Sequence, residues 1–178
     1  MNLFDMMMNA EVYTDDEGCC VTGGCFVSRE SVKPQEPAAC DEVLHVGPTF
    51  KVFISKSGLY EDKINFVDKN NRLVGYSYWQ HCCETFGWQI TDSALVTKES
   101  LREEKKTYEL DGYTFDSTFF LQRNLANDDY AEHNVATFRL HKKGGPDKFL
   151  HIFNFHNGYY SHGFTFSNDD KVIRGGTL

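Results

Sequence analysis

The densest group of side chains able to do chemistry is Gln80-His81-Cys82-Cys83-Glu84. It sets an imidazole, two thiols and a carboxylate side by side. These are zinc or iron ligands by type, and Cys82, Cys83 and Glu84 are the metal candidates. Adjacent residues do not readily converge on one ion, so such a site needs help from elsewhere, with His151 or His162 as the further candidates. A disulfide between neighbours would be strained. A catalytic thiol would need a base and a lowered pKa, and the sequence shows neither. The simpler reading packs the cysteines under a sheet, with Glu84 accepting backbone N–H groups at a turn. Cys19, Cys20, Cys25 and Cys40 lack paired C-x2-C knuckles. They read as reduced thiols in an N-terminal arm, with zinc as the alternative.

The second group lies in Phe149 to Phe166, around Asn157-Gly158. Asn-Gly is a strong signal for a two-residue turn, because both positions of a type I′ turn need positive φ. A hairpin closed there sets Phe155 opposite Tyr160 and Phe153 opposite His162. One face then carries Phe149, His151, Phe153, Phe155, Tyr160, His162, Phe164 and Phe166, and its rings predict the core side. The other face ends in Asn154, His156, Tyr159 and Ser161 beside Asn157, a polar patch fit to hydrogen-bond a ligand or partner. His151 and His162 become diagonal neighbours, able to share a metal or to be two buried neutral imidazoles. His156 could act as a base, but no nucleophile adjoins it in sequence.

The elements that must position these groups follow a period of two from residue 43 onward. Phe50 to Ser55 reads as a strand. Lys63 to Val67, the turn Asp68 to Asn71, and Arg72 to Trp79 read as a hairpin. Gln80 to Gly87 breaks the alternation and suggests a helical turn. Ala94 to Val96 suggests a strand, and Glu99 to Lys106 a short helix or a long loop. Thr107 to Leu110 turns at Asp111-Gly112 into a strand over Tyr113 to Gln122. Val135 to His141 is a further strand. The expectation is a mainly β (α+β) protein: an antiparallel sheet or sandwich with one or two short helices. Residues 1–40 form an arm punctuated by Gly and Pro, with a short strand near Cys25 to Ser28. Residues 41–170 form the β domain, and 171–178 a frayed tail.

Composition agrees. In 178 residues, 15 Phe, 9 Tyr and 2 Trp outnumber 12 Leu and 5 Ile, which favours strands. Apolar residues at 40% and charged residues at 25% exclude a disordered chain, a collagen and a coiled coil. Eighteen Lys and Arg against 26 Asp and Glu leave a net charge of −8, which argues against a phosphate-binding, nucleic-acid role. No stretch approaches the length of a membrane span. The N-terminus lacks the basic and apolar regions of a signal peptide, so a reducing, cytoplasmic setting is expected.

Gln80-His81-Cys82-Cys83-Glu84 followed later by His156-Asn157-Gly158-Tyr159-Tyr160-Ser161 resembles a family of small, mostly bacteriophage-encoded proteins of uncharacterised function. That family carries Q-D-C-C-E and S-N-G-Y-Y-S. The resemblance covers roughly residues 50–166, and His81 stands where the family has Asp. It implies a viral origin and action in the host cytoplasm. With the acidic charge and small size, it leads to a non-enzymatic accessory protein that binds and inhibits a host protein, with a defence component as the candidate target. The binding residues expected are Asn154, His156, Asn157, Tyr159 and Ser161. The alternatives are a sponge for a nucleotide-like signal, with a small polar ligand, and a metal-dependent hydrolase using the Cys/His/Glu groups with zinc. No cofactor is expected under the first reading. Exposed strand edges also allow a homodimer.

Overall fold

The computed structural model describes residues 41–56, 62–79, 83–102, 109–126, 131–157, 159–169 and 171–178. Among these described residues, ten strands and one short helix follow in chain order. They are β1 (Glu42–Val46), β2 (Phe50–Lys56), β3 (Asp62–Asp68), β4 (Arg72–Ser77), β5 (Thr85–Thr91), α1 (Lys98–Arg102), β6 (Thr114–Asn124), β7 (Glu132–His141), β8 (Lys148–His156), β9 (Gly163–Asn168) and β10 (Lys171–Thr177). They build a six-stranded sheet in the order β1-β2-β3-β4-β9-β10 and a four-stranded sheet in the order β5-β8-β7-β6. Every strand pairing is antiparallel. The mainly β, antiparallel expectation is met, with one short helix.

Alternation decides which side chains meet between the sheets. Val52, Phe66, Val74 and Phe166 fall in one cross-strand row of the larger sheet. They join Ala136, Phe138, Leu140, Leu150 and Ile152 of the smaller sheet in one buried cluster. Edge-on ring contacts stitch the layers, such as Phe66 to Trp88 at 5.1 Å and Phe138 to Phe166 at 5.5 Å. The smaller sheet is also covered on its other side. There Val135, Phe153 and Phe155 pack with Val96 and with Leu101 of α1.

That second cluster overturns the reading of Phe149 to Phe166. The segment is not a hairpin. β8 lies inside its sheet with β5 on one flank and β7 on the other, so no edge is left for β9 to pair with. β9 pairs instead with β4 and β10 in the opposite sheet. Phe153 faces Gly87 and Val135 in register, not His162. Asn157 and Tyr159 therefore sit on a crossover between layers. The inward face of β8 carries Leu150, Ile152, Asn154 and His156, the reverse of the assignment made from the rings. Alternation could not decide the matter, because Leu150 through His156 are all buried.

Smaller expectations also change. Ala94 to Val96 is not a strand and Glu109-Leu110 belongs to no strand, but the expected turn at Asp111-Gly112 is present: the Tyr113 N–H donates to the Leu110 carbonyl at 3.1 Å, with Gly112 at a φ of 87°. Thr85 onward, including Gly87, is strand β5 rather than a helical turn. The expected frayed tail is β10, with Leu178 only 1% exposed. Residues 1–40, with Cys19, Cys20, Cys25, Cys40 and the strand expected near Cys25, lie outside the described residues. No helix among the described residues is long and apolar enough to cross a membrane.

Candidate functional site

The β8–β9 crossover closes one end of the sandwich, and polar residues converge beneath it. Asn154 is fully buried. Its Nδ2 donates to the Tyr160 carbonyl at 2.7 Å and to the Leu178 carbonyl at 3.3 Å. The backbone N–H groups of His162 and Leu178 each donate to the other residue's carbonyl at 2.9 Å. The crossover is thus tied to both the end of β8 and the end of β10.

His162 is the pin of this arrangement. Its Nδ1–H donates to the Ser77 carbonyl at 2.7 Å, and its Nε2 lies 3.1 Å from Glu84 Oε2. Both side chains are buried, at 1% and 0% exposure. The ring lies between Phe86, centroid 4.5 Å away, and Tyr76 at 5.5 Å. Both ring nitrogens face oxygen acceptors, so the contacts are satisfied when a proton lies between Nε2 and the carboxylate. Tyr76 donates to the Phe153 carbonyl at 2.8 Å, bridging the sheets. Burial pushes its phenol well above the usual range, and Glu84 and Tyr78 add to the effect, so it remains a donor. With no solvent-facing edge, His162 fixes the crossover in place rather than offering a base to a substrate.

Around this pin the expected binding residues separate into two sets. Asn154 and His156 are buried, whereas Asn157, Tyr159 and Ser161 are exposed. His156 Nε2 lies 3.7 Å from Glu132 Oε2, and Asn134 donates to the same carboxylate at 3.0 Å. The single polar face expected on a hairpin is therefore not formed. What reaches solvent is Tyr159, 83% exposed, and on the neighbouring β4 exit Trp79, 48% exposed. Trp79 stands two residues beyond Ser77, whose carbonyl holds His162, and Tyr159 stands three residues before His162. Both rings are thus carried on segments fastened at one point. Trp79 was not singled out from sequence; an aromatic at the end of an apolar strand gives no sign that it faces solvent.

The metal candidates are dispersed. Of the candidates, Glu84 and His162 meet, as hydrogen-bond partners. Cys83 is exposed, with φ at 64°, and Cys82 lies outside the described residues. His151 is not a neighbour of His162. It lies on the outward face of the smaller sheet, between Thr91 Oγ1 at 2.8 Å, Thr137 Oγ1 at 2.9 Å and the Ser93 carbonyl at 3.1 Å. Burial pushes its pKa down to about 4; the bond to Ser93 opposes this and Arg123 adds to it. The neutral ring donates from Nε2 to Ser93 and accepts the Thr137 hydroxyl at Nδ1. Among the described residues no three His, Cys, Asp or Glu side chains are grouped to hold a metal ion.

Compared with known proteins, the chain matches no family model, no curated protein and no solved structure.

Proposed function

We propose that this chain is a non-enzymatic binding protein that holds a protein partner at the crossover end of the sandwich. The carrying observation is the pair of exposed rings, Trp79 and Tyr159, mounted on segments that His162 fastens together. Trp and Tyr are the side chains most often found as anchors in protein interfaces, since each presents a large rigid surface with one polar atom. Holding them on fastened loops lowers the ordering cost of binding. The exposed Asn157 and Ser161 supply polar contacts at the rim. The partner is a host protein that the chain inhibits in the host cytoplasm; this half of the proposal rests on the resemblance carried by the Q-x-C-C-E and N-G-Y-Y-S segments and on the acidic net charge of −8.

Affinity capture from bacterial lysate tests the proposal. The expected result is one stoichiometric protein, retained at moderate salt, whose activity falls when the chain is added. Recovery of no protein across a range of salt concentrations contradicts it.

A further inference from the structure

The two outer strands of the six-stranded sheet are defended differently. β10 carries Lys171 and Arg174, with Val172 its only exposed large apolar side chain. Charged side chains of this kind discourage a second strand from adding to an edge. β1 is the sequence Glu-Val-Leu-His-Val, and Val43, Leu44 and Val46 are 50%, 44% and 59% exposed. Three of its five residues are therefore apolar and in water. It has β2 on one flank and no described strand on the other.

The β1–β2 register shows how this edge could be covered. Glu42 lies opposite Ile54 and Val43 opposite Phe53; then the register shifts, and His45 lies opposite Val52 and Val46 opposite Lys51. Leu44 is the extra residue of a bulge. Across it, Glu42 and His45 share the face that turns toward the other sheet, while Val43 and Val46 share the outward face. The strand is thus nearly self-complementary about the point between Val43 and Leu44. Turned end for end, Val43 meets Leu44 twice at the centre, and Glu42 meets His45 once on each side. An acid facing an imidazole and apolar facing apolar are the pairings an antiparallel ladder favours.

We propose that β1 is a self-association edge, and that a second copy of this chain pairs there, antiparallel and across a two-fold axis. Two six-stranded sheets then join through β1 and β1′. The contact is isologous and closes at two copies, so it produces a dimer and not a filament. It involves neither Trp79 nor Tyr159, and it stands or falls separately from the crossover proposal.

The full chain is examined by light scattering after size exclusion over a concentration series, with Leu44→Lys and Val172→Lys as matched variants. Both positions are exposed, so both variants should fold, and unfolding midpoints check this. Wild type and Val172→Lys should show a monomer–dimer equilibrium, and Leu44→Lys should weaken it about tenfold or more. Hydrogen exchange on the wild type reads the same edge without a mutation: amides of residues 42–46 should gain protection as concentration rises. A wild type that stays monomeric at every concentration overturns the proposal, whether β1 is exposed or covered by residues 1–40. So does a dimer that survives Leu44→Lys, or one lost with Val172→Lys.

Discussion

Two carboxylates are buried at opposite ends of the β3–β4 hairpin, and they are neutralised in different ways. Asp68, 2% exposed, accepts backbone N–H groups. Its Oδ1 takes Asn70 at 2.8 Å and Arg72 at 3.0 Å, and its Oδ2 takes Phe115 at 2.8 Å. It closes the β3–β4 turn and docks the start of β6 from the other sheet. The Arg72 guanidinium also donates to the Phe115 carbonyl. Nearby, Thr49 and Gly112 are linked by a hydrogen bond, and a Cβ at Gly47 would fall 2.0 Å from Asp111 Oδ1. This end is a closed lock. At the other end Glu84 meets an imidazole, and the segments it steadies carry exposed aromatic rings. Asp68 is held by three backbone amides, whereas Glu84 is held by the ring of His162. The Asp68 end is built to stay shut, and the Glu84 end is built to hold loops that face outward.

Substitutions at the two carboxylates sharpen this contrast most. Asp68→Ala leaves three amide donors without acceptors and should cost about 3–5 kcal/mol in chemical denaturation, since each orphaned donor costs roughly 1–3 kcal/mol. Asp68→Asn should still cost about 2 kcal/mol, because an NH2 group replaces an oxygen that must accept. Glu84→Gln should cost less, about 1 kcal/mol or below, because its amide can donate to a neutral His162 Nε2 while Nδ1–H keeps Ser77. A Glu84→Gln variant destabilised as much as Asp68→Asn would erase the distinction between the two ends.

Acid titration offers a second separation. His151 resists protonation in the folded state, with a pKa of about 4, while in the unfolded chain it takes a proton near pH 6.5. The unfolded state therefore binds more protons between those values. Stability is full above about pH 6.5, falls as pH drops toward 4, and levels below, for a total of about 3 kcal/mol. His151→Gln should flatten that slope in pH-dependent denaturation. Asp116 adds a lower step. Burial raises its pKa, but hydrogen bonds from Thr118 and Arg139 outweigh that and hold it at about 2. Its contribution is present above pH 3.8 and disappears as pH falls toward 2. Arg139→Gln should shrink that step, leaving the part held by the Thr118 hydrogen bonds, and leave the His151 step unchanged.

Much of the larger sheet was legible in the residues. Lys63 to Val67, the turn at Asp68 and the strand from Arg72 alternate cleanly, and the observed register pairs Val67 with Leu73 across that turn. Phe149 to Phe166 misled for a physical reason. β8 is buried on both faces, so its alternation of rings with Leu, Ile and Asn holds no record of which face is inside. Asn157-Gly158 is a turn signal in sequence, though Gly158 lies outside the described residues, and local turn chemistry cannot show that both flanks of β8 are already occupied. The tail was missed because an edge strand such as β10 needs few apolar groups; Ile173 and Leu178 suffice to hold it on the core. At the site, the partnership of Glu84 and His162 spans 78 positions and depends on the sheet crossover, so spacing could suggest the residue types but not the pairing.

The smallest effects on stability are expected at the exposed rings, where Trp79→Ala and Tyr159→Ala should each change unfolding free energy by less than about 0.5 kcal/mol. That neutrality makes them the clearest probe of the binding proposal. The deciding measurement is partner capture by the Trp79→Ala/Tyr159→Ala double variant, beside wild type and a Val172→Ala variant on β10. The double variant should lose at least about tenfold in retained partner while Val172→Ala matches wild type. A double variant that captures as much partner as wild type would contradict the binding proposal.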